Sequence, residues 1–145
     1  MTSQNQFTKA DQSQKVERLH QELRQWQSNL YFMQDEILFI DHLLNAYIFQ
    51  PTTPNLFERI QDYLFRLKKV KQQKEKLGTL VSNHEKNLVG MLRCTDSKCD
   101  EPYYQRHDTM KVEVTKCLKS FQMLKSEIFN YAGGILKKNK PKSNP

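Results

Sequence analysis

The stretch Val16–Tyr47, VERLHQELRQWQSNLYFMQDEILFIDHLLNAY, decides the fold. Val16, Leu19, Leu23, Trp26, Leu30, Met33, Ile37, Ile40, Leu44 and Tyr47 follow one another in alternating steps of three and four residues. A mean step of about 3.5 residues draws these side chains into one narrow stripe along an α-helix. At 1.5 Å per residue the striped part is about 47 Å long. A single helix would leave that stripe in water, so the pattern demands partner helices.

The chain supplies two more. Leu56, Ile60, Tyr63, Leu67, Val70, Lys74, Leu77, Val81, His84, Leu88 and Met91 repeat the same steps, with Lys74 and His84 as polar intruders. A seam lysine can lay its methylene stem on apolar surface while the ammonium reaches water. Tyr103, His107, Met110, Val114, Cys117, Phe121, Leu124, Ile128, Tyr131 and Ile135 form the third stripe. Pro51-Thr52-Thr53-Pro54 separates the first two, because proline lacks a backbone donor and disfavours helix in the residue before it. Asn55 with Glu58 suggests a capping box for the second helix, with Thr53 before Pro54 as an alternative start. The second break runs from Cys94 to Pro102, where Asp100 could cap the third helix with Pro102 in its first turn. Gly78 weakens the second helix without stopping it, and Gly133-Gly134 could loosen the end of the third.

Stripes of similar length joined by short breaks predict an all-α fold, an elongated antiparallel three-helix bundle, coiled-coil-like and up-down-up. The expected boundaries are a disordered polar arm over residues 1–12, one bundle over 13–136 and a disordered basic tail over 137–145. The helices are expected at about 11–49, 55–93 and 101–136. In outline this resembles the spectrin-type repeat, a likeness of layout that rests on no shared motif.

Composition agrees. A chain of 145 residues with only four Gly and five Pro, rich in Lys, Gln, Glu and Leu, is built for long helices and for one domain. No apolar run reaches membrane-spanning length, and residues 1–10 are polar with no secretion pattern. Three cysteines are an odd number without framework spacing, which favours a reducing compartment, so the expected location is cytoplasmic. Cys94 and Cys99, with four residues between them and no second ligand pair, read as free thiols rather than a zinc turn.

The net charge of +7 permits contact with nucleic acid or an anionic surface. Lys68, Lys69, Lys71, Lys74 and Lys76, however, spread around their helix without aromatic interleaving. Asp35, Glu36 and Asp41 lie at a similar height on the first helix, so inter-helix ion pairs account for these lysines. Lys137, Lys138, Lys140 and Lys142 offer weak, sequence-blind phosphate contacts at most. Neither nucleic acid nor a membrane surface is the expected partner.

Two groups of residues remain for function. With Val16 at heptad position a, Tyr31, Phe32, Leu38, Phe39 and Phe49 fall at b, c and f, outside a three-helix core. Phe65, Met123, Phe129 and Leu136 fall on comparable outer positions. A contiguous apolar face on a soluble chain usually marks a contact. The leading expectation is therefore a non-enzymatic interaction or scaffold module, taking a protein partner or a second copy through Tyr31, Phe32, Leu38, Phe39, Phe49, Phe65 and Phe129. No catalytic constellation, cofactor motif or small-molecule substrate site can be assembled.

The second group is a histidine layer. Folding the chain at Thr52 and Ser97 brings His20, His84 and His107 within about one helical turn of the same height. Glu17 flanks His20 and Glu85 follows His84. Such a layer either sets register, with the rings satisfied by the glutamates, or holds a metal. In the metal alternative His20, His84, His107, Glu17 and Glu85 are the ligands. Three imidazoles with an open fourth place suit zinc better than iron, since only one half of the di-iron Glu-x-x-His signature is present.

Overall fold

The structure, a computed structural model, describes residues 9–47, 54–93 and 97–138. Helix α1 spans Lys9–Tyr47 and α2 spans Leu56–Asn87. A 3-10 turn continues α2 over Leu88–Arg93, and α3 spans Ser97–Lys138. Every described residue except Pro54 and Asn55 is helical. Among the described residues no helix is long and apolar enough to cross a membrane.

The three helices pack on one another as the stripes require. Leu19, Leu23, Trp26, Leu30, Met33, Ile37, Ile40 and Leu44 of α1 are all buried. Leu56, Ile60, Tyr63, Leu67, Leu77 and Val81 meet them from α2, and Val114, Cys117, Phe121, Leu124, Ile128 and Ile135 from α3. On the α2 stripe Val70 and Lys74 are only half-buried at mid-height, and on α3 Met110 is half-buried one turn from His107. Lys74 behaves as a seam lysine should: its stem stays in the bundle and its ammonium donates to Gln34 Oε1 of α1.

Polar pairs across the helices fix the direction of each. His20 meets Glu85 and Gln34 meets Lys74, so α2 runs antiparallel to α1. Glu36 meets Lys125 and Arg66 meets Glu127, which turns α3 parallel to α1. Glu36 is thus taken by α3. The lysines of 68–76 make no ion pair with Asp35, Glu36 or Asp41 among the described residues, contrary to the sequence expectation.

The helix ends differ from the sequence reading in four places. Helix α1 begins at Lys9, inside the stretch read as a polar arm, and buried Gln12 donates through Nε2 to the Met91 carbonyl. Asn55 occupies the N-cap of α2 but in the left-handed region, φ 56°, with no side-chain cap bond. The expected capping box is absent, because an N-cap side chain reaches forward from an extended backbone. Its carbonyl does take the Arg59 N–H at 3.1 Å. Past Asn87 the backbone tightens to three residues per turn, which eclipses Leu88 with Met91 and keeps both buried. Helix α3 starts at Ser97, so Asp100 is a buried first-turn residue and not the cap, and Pro102 falls in the second turn. An acidic side chain there still faces the positive end of the helix dipole. At the far end α3 runs on to Lys138 without a break at Gly133-Gly134, taking in Lys137 and Lys138.

Gly78 sits inside α2, and a Cβ built on it meets nothing within 4 Å. Glycine in a helix interior costs roughly 0.5–1 kcal/mol relative to alanine. Gly78→Ala should therefore stabilise the bundle by about that amount, read as a higher urea midpoint at unchanged slope.

Candidate functional site

Towards the second break, where α1, the end of α2 and the start of α3 come together, the apolar seam gives way to rings. His84 closes the α2 stripe and His107 faces it from α3; both are buried. Position on the stripe puts them there, since each occupies a place that leucine would fill. His84 Nε2 and His107 Nδ1 are 3.1 Å apart, and His107 Nε2 lies 3.2 Å from Glu22 Oε2 of α1. Tyr103, one turn before His107, stacks on His84 with ring centroids 3.9 Å apart and donates to the His84 carbonyl at 2.8 Å. Trp26 of α1 covers His107 at 4.7 Å.

Hydrogen-bond chemistry orders this chain. A carboxylate only accepts, so His107 Nε2 carries the hydrogen directed at Glu22. If His107 is otherwise neutral, its Nδ1 is an acceptor and His84 donates through Nε2. Burial pushes His84 down from its ordinary 6.5 to about 4, helped by the neighbouring His107 and Arg106. Burial also pushes the Tyr103 hydroxyl up, which keeps it a donor.

The metal alternative does not fit this geometry. His20 does not join the buried rings; it is half exposed and pairs with Glu85 at 3.8 Å. Glu17 is exposed and takes a bond from Gln21, so it is partner to neither ring. The facing nitrogens of His84 and His107 are spent on each other. Among the described residues no group of three or more His, Cys, Asp or Glu side chains is arranged to hold a metal. Of the proposed ligands His20, His84, His107, Glu17 and Glu85, only His84 and His107 come together, and as a hydrogen-bonded pair. Glu22 is the residue that sequence reasoning missed. Its signal was its heptad place: Glu22 falls at g, beside the seam, and Glu17 at b, facing outward.

The outer apolar residues are where the heptad puts them. Tyr31, Phe32 and Phe39 are 71%, 62% and 61% exposed, and Leu38, Phe65 and Phe129 are exposed as well. Phe39 meets Phe129 of α3 edge-on at 6.4 Å, and Tyr31 meets Phe32 at 6.5 Å. The six do not form one continuous cluster of rings: Phe65, on α2, has instead the Lys69 ammonium 4.6 Å from its ring centre. Phe49 lies outside the described residues. So does Cys94, whereas Cys99 falls in the first turn of α3.

Comparison with known proteins returns no matching family model, no similar curated protein and no similar solved structure.

Two measurements probe the ring chain. Because the folded-state pKa of His84 is depressed, the unfolded chain binds more protons between pH 6.5 and about 4. The stability that neutral His84 contributes is complete above that window and lost as pH falls through it, a change on the order of 3 kcal/mol. Chemical unfolding across this range should show a steeper loss for wild type than for His84→Gln, which cannot titrate. In a double-mutant cycle, His84→Leu and His107→Leu should each cost about 1–3 kcal/mol by stranding the remaining ring. The double variant should cost less than their sum, since no unpaired imidazole is left. Additive losses would show that the two rings do not depend on each other.

Proposed function

We propose that this chain is a non-enzymatic, coiled-coil-like interaction module that uses the outer crest of α1 to hold another helix. The observation that carries this reading is the crest itself: Tyr31, Phe32 and Phe39 are more than half exposed, with Leu38 beside them and Phe129 of α3 against Phe39. Aromatic side chains bury roughly 150–250 Å² each when covered, so these five hold on the order of 500 Å² of exposed surface. That approaches one partner's share of a standard interface. Tyr31 and Leu38, like Phe32 and Phe39, are one heptad apart, which is the repeat a helix laid along α1 would meet.

The polar chemistry supports a non-catalytic role. The two buried imidazoles satisfy each other and Glu22 inside the seam. Burial pushes the Cys117 thiol up, away from the thiolate form that reacts. An odd number of cysteines, one of them an unpaired thiol in the core, fits a reducing compartment such as the cytoplasm.

Sedimentation of wild type and of Phe32→Ser/Phe39→Ser tests the crest. A self-associating wild type should gain mass with concentration, and the double variant should stay monomeric with unchanged helicity. From Gln25 to Tyr47 the chain carries Asp35, Glu36 and Asp41 and no Lys or Arg. Added salt should therefore strengthen crest-on-crest pairing, where like charges meet, and weaken a contact with a basic partner helix. A wild type that is monomeric throughout removes self-association. Partner capture that is unchanged by the double substitution removes the crest.

A further inference from the structure

Among the described residues, grooves between the helices differ in chemistry. Beside Tyr31, the α1–α2 groove is walled mostly by polar side chains, among them Glu75 and two lysines, of which Lys74 already donates to Gln34. The α1–α2 groove beside Leu38 places Asp41 with Lys68 and Lys71, so its walls carry both signs of charge. The α2–α3 groove has an apolar floor and a cation at one end. Leu77, Leu80, Pro102 and Met110 line it, with Gln105, Arg106, Thr109 and Glu113 completing its walls, and this open trough has a volume of about 500 Å³. That volume is within the range of small-ligand sites.

Leu77 forms the buried bottom, and Leu80 is left 45% exposed at the edge. Arg106 and Glu113 are seven residues apart on α3, about 10 Å along the axis. Among the described residues Arg106 has no carboxylate within ion-pair reach; its guanidinium lies 5.9 Å over the Tyr103 ring. An unpaired guanidinium beside an apolar trough is complementary to an anion carrying an apolar chain. The carboxylate of Glu113 at the other end repels such a head and so sets its direction.

We propose that the α2–α3 groove binds an alkyl carboxylate, its head on Arg106 and its chain over Leu80, Leu77 and Met110 towards Glu113. The site is separate from the aromatic crest of α1. It also touches the ring chain, because the Arg106 charge is one of those acting on His84. Neutralising that charge with a bound anion eases protonation of His84, so its titration should move up when the groove is filled.

The probe is decanoate, kept below its aggregation concentration and titrated into the full chain at neutral pH by calorimetry and by imidazole NMR. One-to-one saturation in the high micromolar range is expected, given the modest efficiency of so small a ligand. Acetate, without the chain, should not bind, and decanol, without the charge, should bind about tenfold more weakly. Arg106→Gln should bring decanoate down to the level of decanol. Leu80→Asp should abolish binding of both, and Thr109→Glu, on the exposed rim, gives the same readout should Leu80→Asp melt early. Phe32→Ser/Phe39→Ser should leave decanoate binding unchanged, which keeps this result apart from that of the crest. Equal affinity for decanoate and decanol would overturn the proposal, as would an Arg106→Gln variant that binds like wild type. So would a groove that takes an acidic amphipathic peptide but not decanoate.

Discussion

Each helix of this chain carries an apolar stripe that has no place in water, and the three stripes bury one another. Most of what else the bundle contains is placed relative to that seam. On α1 the rule is simple: positions beside the seam reach out to one neighbour or the other. His20 and Gln34 fall at e and meet Glu85 and Lys74 of α2. Glu22 and Glu36 fall at g and meet His107 and Lys125 of α3. The outer positions continue the division, with Leu38 at b lining a groove with α2 and Phe39 at c meeting Phe129 of α3. Where such pairs are exposed they add little net energy, but they identify which helix lies on which side.

Leucine at positions 84 and 107 would pack the seam more simply than two imidazoles. A buried polar pair without partners is destabilising, and one with every partner in place is close to neutral against an apolar pair. The rings here reach their partners only in one register. Sliding α3 by a heptad would separate His107 from both His84 and Glu22, whereas leucines would tolerate the slide. Tyr103 adds to this by stacking on His84 and bonding its carbonyl, so the same ring is held on its face and through its backbone. Satisfied buried polar pairs of this kind favour one register over another, as a lone polar seam residue does in coiled coils.

How much of this can be read from the sequence depends on the physical scale involved. The seam is legible because a 3.5-residue period belongs to the chain itself and survives whatever the ends do. The height of His20 on the bundle, beside the end of α2 that holds His84 and Glu85, is legible for the same reason, since it needs only the position of the first turn. Helix ends are decided by local competition among backbone donors, and there the reading slips. Asn55 was expected to cap through its side chain and takes a left-handed backbone instead. Asp100 looked like a cap because Pro102 follows it, yet α3 begins at Ser97. That difference moves the second turn by a few residues, and His84 meets His107 directly rather than about one turn away. Gln12 was passed over because its neighbours are polar, although it continues the stripe at position d, four residues before Val16. The candidate site was legible as to height and as to His84 and His107. It was not legible as to Glu22, whose role depends on which side of the seam it takes.

The aromatic crest stands outside this logic. Phe32 and Phe39 point away from the seam, and the core is complete beneath them in Met33, Ile37 and Ile40. Serine at both positions would leave every stripe intact, so nothing in the packing of the bundle requires phenylalanine there. The ring chain sits towards the second break and the crest lies towards the first, on α1. A surface that is rigidly backed and apolar without serving the fold is well suited to a second molecule, because little ordering remains to be done when it is covered.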